Sequence, residues 1–415
     1  MPSFRQLSQA ALRAGRLAYL GLLSAAAHAG EAVPCACFAN GPKGLEQHFT
    51  AWRVNYVGEV LGNLSGGLKR GATYDGYLQI GLGVNFAKVA GWDDTVFYAS
   101  FLYPHGEGLT QNYVGDLNVV SNIDAYDSPR LFDGWMEKEF LDRRLSVRLG
   151  VMAIDSEFFA SSGASLFLNS GFGAFPVIGQ DLVAPIYPVT APGLRVRWQA
   201  DPALTLSAAV FSGDAGAPTV NRHNTEWRLG KRNGVTAFVE AAYQLHANGK
   251  GLPGTYKMGG FYDSKCVDDL SGGGRHHGNY GGYAIADQMV WREGADGDAA
   301  KQGLGVFARF ALAPQDRSFV SFDAEAGLTY TGLLPSRDND VAGLGVVYAR
   351  VSGEARDAAG QAYPTHQETV VEFSYQATLG DHLTLQPDFQ YVFHPGAVRN
   401  GRDAVVAGLR CSVGF

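Results

Sequence analysis

The last eleven residues of this chain alternate without a break. Val405, Ala407, Leu409, Cys411, Val413 and Phe415 form one set, and Val406, Gly408, Arg410, Ser412 and Gly414 form the other. Successive side chains of a strand point to opposite faces, so the pattern specifies a strand with one apolar face and one smaller, more polar face. In a soluble fold, an apolar strand ending the chain is an exposed edge that invites aggregation. Closing the sheet on itself, so that the last strand pairs with the first, abolishes the edge.

The same period recurs upstream. Leu383, Leu385, Phe389, Tyr391 and Phe393 alternate with Thr384, Gln386, Asp388 and Gln390. Val371, Phe373, Tyr375 and Leu379 alternate with Glu372, Ser374, Gln376 and Thr378, and Val320 to Tyr330 repeats the arrangement with Ser321, Asp323, Glu325 and Thr329 on the polar side. Further segments fit near 52–60, 76–86, 94–103, 131–140, 145–153, 193–200, 203–212, 234–246, 255–263, 282–292, 303–313 and 341–351. The pattern leaves the two faces of 131–140 and 282–292 undecided. The segments exceed the ~5–6 residues usual in soluble sheets and suit tilted membrane-spanning strands of ~9–11. The expected fold is all-β: a transmembrane antiparallel β-barrel of about 16 strands, of the outer-membrane porin type. Aromatics at segment ends, such as Phe86, Tyr103, Tyr330 and Phe393, fit interfacial girdles. Tight turns at 141–144, 201–202 and 380–381 alternate with long stretches at 104–130, 154–192, 213–233 and 263–281, read as periplasmic turns and extracellular loops.

Composition agrees with that class. Charged residues make up only 18%, glycine is frequent at 54, and no apolar run reaches the 18 residues a spanning helix needs. Arg5, Arg13 and Arg16 precede an apolar stretch, Leu17 to Ala27, and Ala27-His28-Ala29 fits a small-residue cleavage rule. Residues 1–29 read as a signal peptide cleaved after Ala29, residues 30–51 as a short periplasmic segment, and residues 52–415 as the barrel. Losing those three arginines takes the formal net charge from -7 to -10. With no long basic run, nucleic-acid binding is not expected. The cysteines do not form a disulfide framework: Cys35 and Cys37 are too close for an unstrained bridge, Cys266 falls in an expected loop and Cys411 in the last strand. No cofactor and no metal site are expected, since His276-His277 lacks spaced partners.

An empty barrel of ~16 strands encloses a water-filled channel, and whatever narrows it sets selectivity. The loop 154–192 combines small polar residues with Phe158, Phe159, Phe167, Leu168, Phe172 and Phe175. Its apolar content predicts that it folds inward as the constriction. Arg148, Arg195, Arg197, Arg309 and Glu240 alternate with apolar neighbours. A charge on the lipid face costs ~2–4 kcal/mol at the midplane, so these face the lumen and are candidates for the pore lining. Both signs occur, which suits neutral hydroxylated solutes, because sugar hydroxyls both donate and accept hydrogen bonds.

Six stretches, in sequence order, carry a resemblance to a known family. They are FFASSGASLFLNSGFG (158–173), YPVTAPGLRVR (187–197), YKMGGFYDS (256–264), GGYAIADQMVW (281–291), LPSRDNDVAGLG (334–345), and TVVEFSYQATLGDHLTLQPDFQYVFHP (369–395) with the terminal GLRCSVGF. From about Val54 to Phe415 the chain resembles the carbohydrate-selective porins (OprB family). The resemblance implies a monomeric or homotrimeric barrel for passive diffusion of glucose and related small sugars, with Arg and Glu groups lining a narrowed passage. The resemblance carries over Glu137, Arg148, Arg195 and Arg197 as candidates, the last two within the stretch 187–197. It also implies outer-membrane lipid as the surroundings and recognition of the Phe415 strand by the barrel-assembly machinery. The alternatives are a general porin or one for organic acids, and, further off, an adhesin or a barrel enzyme. A serine-based hydrolase would need a Ser-His-Asp constellation, and no serine carries a G-x-S-x-G elbow.

Overall fold

The computed structural model describes residues 50–216, 220–227, 229–230, 233–246, 251–294, 301–358, 366–397 and 402–415. The leader, Ala29, Cys35 and Cys37 lie outside them. Sixteen strands run through the described residues: β1 (Thr50–Ser65), β2 (Gly71–Asn85), β3 (Thr95–Gly106), β4 (Arg130–Phe140), β5 (Leu145–Met152), β6 (Ala191–Gln199), β7 (Leu204–Ser212) and β8 (Val235–Leu245). The second half comprises β9 (Gly254–Asp268), β10 (Arg275–Arg292), β11 (Gly303–Leu312), β12 (Val320–Thr331), β13 (Val341–Val351), β14 (Gln367–Leu379), β15 (Leu383–Phe393) and β16 (Ala404–Gly414). Each pairs antiparallel with its sequence neighbours, and β16 pairs with β1 to close the barrel. At the seam, Val54 N–H donates to the Phe415 carbonyl at 3.0 Å and Phe415 N–H to the Val54 carbonyl at 2.8 Å. No sheet edge is left, which is what a β-structure needs in hydrocarbon.

The faces are inverted relative to a soluble protein. Met258 and Leu149 point outward with 71% and 64% exposure, while Arg148 and Glu372 point inward with 1% and 0%. In β4 the buried inward set is Asp133, Trp135 and Glu137, and in β10 it is Tyr283, Ile285 and Asp287. That resolves the two segments whose faces the alternation left undecided.

The stretch 263–281 is not a long loop. β9 and β10 continue into it as a paired hairpin, and only 269–274 forms the turn. Cys266 therefore sits on β9, 3.3 Å from His277 Nδ1. The alternation is weak there because Gly272, Gly273, Gly274 and Gly278 interrupt it. Short turns gather at the end of the barrel that carries Thr50 and Phe415; loops 107–129 and 153–190 leave from the other end.

Candidate functional site

Loops 107–129 and 153–190 lie inside the barrel. Val119, Val120 and Asn122 of the first and Phe159, Phe167, Phe172 and Phe175 of the second are buried. The loops bond to each other: Asn122 N–H donates to the Leu168 carbonyl at 2.7 Å and Ser170 N–H to the Val119 carbonyl at 2.8 Å. Phe167 and Phe172 stack at 4.4 Å between ring centroids. β13 makes room for them with glycines. A Cβ on Gly343 would stand 2.4 Å from Leu166 Cδ2, and one on Gly345 would stand 2.6 Å from Phe172 Cζ.

A loop inside a barrel carries backbone N–H groups that need acceptors. The inward carboxylates of the wall supply them. Glu368 accepts from Leu117 N–H at 2.6 Å, Asn118 N–H at 2.7 Å and Gly396 N–H at 2.6 Å. Glu372 accepts from Leu168 and Asn169, Asp323 from Val177 at 2.7 Å, and Asp287 from Gly163 at 3.0 Å and from the Ser161 hydroxyl at 2.6 Å.

The sequence-derived candidates fall into three places. Glu137, Arg148 and Arg195 occupy one cross-strand row on β4, β5 and β6. Loop residue Glu157 reaches into that row. Arg148 lies 2.6 Å from Glu137 and 2.8 Å from Glu157, and Arg195 lies 3.2 Å and 2.7 Å from the same two carboxylates. Arg197 stands 3.7 Å from Glu137, and the Arg148 guanidinium packs 3.8 Å over the Trp135 ring. Burial pushes the Glu157 carboxyl up, but Arg148, Arg195 and Arg197 together outweigh burial and hold it below the usual range. Glu240 sits elsewhere, accepting from Phe159 N–H at 2.7 Å and pairing with Lys257 at 3.4 Å. Arg309 is separate again: it donates to the Phe172 and Gly173 carbonyls and lies 4.3 Å over the Phe175 ring.

Beside the loops runs a cavity of 760 Å³. Toward the long-loop end it is lined by Phe132, Asp133, Asp155 and Tyr187. Ser161, Ser162 and Ser165 of the inward loop form its middle. Toward the short-turn end it is lined by Thr255, Lys257, Asp287, Thr329, Thr331 and Gln376. None of the six candidates is among its lining residues. Thr329 and Gln376 were legible as lumen-facing from period two, but nothing in that period says how deep along the lumen a residue sits.

The model of the carbohydrate-selective porin, OprB family, matches residues 69–415. The chain belongs to that family. Among its relatives are Porin B of Pseudomonas aeruginosa, 26% identical over 98% of both chains, and a putative porin, QuiX, of Acinetobacter baylyi, 27% identical over 89% of this chain and 90% of that one. In fold it is similar to the high-pH structure of Pseudomonas putida OprB, with a TM-score of 0.80 at 24% identity, covering 91% of this chain and 97% of that one. The family and the closed barrel make this an outer-membrane porin, a channel protein. In such barrels the short turns face the periplasm and the longer loops the exterior.

Proposed function

We propose that this porin passes small neutral sugars, glucose foremost, into the periplasm by passive diffusion, with loop 153–190 as its constriction. The observation that carries the proposal is the lining of the 760 Å³ cavity. Serine and threonine hydroxyls, the amides of Gln288 and Gln376 and aromatic faces surround it, with Asp133, Asp155 and Asp287 set against Lys257 and Lys301. Hydroxyls and amides match sugar hydroxyls in both donor and acceptor roles. With both signs of charge present, no strong field draws in an ion of one sign. Arg148, Arg195, Glu137, Glu240 and Arg309 act by holding the loop, and Arg197, whose side chain keeps 23% exposure, is the least buried of the six. The chain reaches the outer membrane after cleavage at Ala29, so the mature protein starts at Gly30; N-terminal sequencing reads that directly.

Liposome swelling tests the function. Reconstituted protein should admit glucose faster than a disaccharide and faster than a charged solute of glucose size. Equal entry of all three would make it a general porin, and fastest entry of the charged solute would make it a porin for ions.

A further inference from the structure

Loop 107–129 lies inside the lumen, yet none of its residues lines the cavity. It stands behind loop 153–190, on the side of β14, β15, β16 and β1. Glu368 of β14 accepts from its Leu117 and Asn118, Gln390 of β15 donates to its Val120, Arg410 of β16 donates to Asn122 Oδ1 at 2.9 Å, and the Ser121 hydroxyl donates to Glu59 of β1. Toward loop 153–190 two side-chain bonds join the backbone ones. Asn122 Nδ2 donates to the Phe167 carbonyl at 3.1 Å, and Gln180 Nε2 to the Leu117 carbonyl at 3.0 Å. Loop 153–190 turns Ser161, Ser165, Leu166 and Phe172 to the cavity.

Gln390 is bonded to both loops. Its Nε2 donates to the Val120 carbonyl at 2.8 Å, and its Oε1 accepts from Asn169 Nδ2 at 3.1 Å. Asn169 Nδ2 also donates to the Asn118 carbonyl at 2.9 Å, so one amide of the second loop bridges the wall and the first loop. Both side chains are 0% exposed, and neither lines the cavity. Turning the Gln390 amide over would set its oxygen against the Val120 carbonyl and its NH2 against that of Asn169, so the two loops together fix its orientation. A shift of either loop leaves a buried amide unpaired, and each loop therefore resists movement of the other. The link reaches the passage through a short turn. Asn169 Oδ1 caps Ser170–Phe172 by accepting from Gly171 N–H at 3.0 Å, and Phe172 at the end of that turn lines the cavity.

We propose that loop 107–129 sets the selectivity of the passage from behind, with Gln390 and Asn169 as positioning residues that fix where Phe172 stands. The proposal rests on the reading of loop 153–190 as the constriction. The experiment uses the full mature chain in liposomes and measures the entry of D-glucose and of sucrose by swelling, together with protease cleavage within each loop. Gln390→Leu keeps the volume and removes both bonds; should it form no channels, the unbranched Gln390→Met decides. Cleavage within 107–129 and within 153–190 should quicken together, about three- to tenfold for the loss of one hydrogen bond. The ratio of glucose to sucrose entry should fall toward unity, although Gln390 touches no solute. Faster cleavage of one loop alone, or of neither, overturns the joint. Faster cleavage of both loops with an unchanged entry ratio overturns the role in selectivity and leaves the constriction reading standing. Equal entry of glucose and sucrose through the unchanged chain overturns the constriction reading and this inference with it.

Discussion

At the scale of single residues, the inward charges work in pairs with loop atoms. Breaking a buried pair by removing one partner leaves an uncompensated charge and costs about 3–5 kcal/mol. Glu157→Ala strips Arg148 and Arg195 of their second carboxylate, so its thermal unfolding temperature should fall by several degrees while Glu139→Ala, nearer the rim, changes little. Equal shifts in the two would show that the cluster carries no special weight. Asp155 gives a pH-dependent readout. Burial, helped by the Asp133 charge and opposed by the Tyr187 N–H, pushes its carboxyl up to about 7. The folded value lies above the unfolded one of about 3.9, so the fold binds this proton more tightly than the unfolded chain does. Its stabilising contribution is complete below about pH 4 and is lost as pH rises to about 7. Asp155→Asn should flatten the decline in unfolding temperature across that window, and an unaltered slope would contradict the assignment. These partners were not legible in the sequence. Period two put Arg148 and Arg195 on the lumen face, but that Glu157 closes on them depends on where a loop of nearly forty residues folds back.

At the scale of elements, strands were legible and the path of loop 107–129 was not. A lipid-facing strand must alternate over its whole length, so the segments ending in Phe393 and Phe415 could be placed to within a residue or so. Loop 107–129 has no comparable constraint; its inward position follows from Glu368 accepting Leu117 and Asn118, some 250 residues away in the chain. The β9–β10 hairpin was read as a loop because glycines masked its alternation. Two expectations belong here. Gly345→Ala puts a methyl 2.6 Å from Phe172 and should destabilise the docked loop by about 1–3 kcal/mol, read as faster protease cleavage within 153–190. Cleavage at the unchanged rate would mean that the loop is not held against β13. Deleting Phe415 removes both hydrogen bonds to Val54 at the seam. The folded fraction after refolding into detergent should drop, and an undiminished yield would show that closure does not depend on that pair.

At the scale of the whole molecule, the account makes the barrel a frame and the two inward loops its selective element. The fold and family could be read from alternation and motifs, whereas the lining of the passage required knowing which wall residues the loops leave free. The central claim is that selectivity comes from the docked loop. Glu372→Ala leaves the Leu168 and Asn169 N–H groups without their acceptor, at about 1–3 kcal/mol for each, and should loosen the loop without opening the barrel. The measurement is the ratio of glucose to disaccharide entry in liposome swelling, compared between the unchanged chain and Glu372→Ala. The account predicts a high ratio in the unchanged chain that falls toward unity in the variant as total entry rises. The same high ratio in both, with the variant's loop shown by proteolysis to be released, would contradict it.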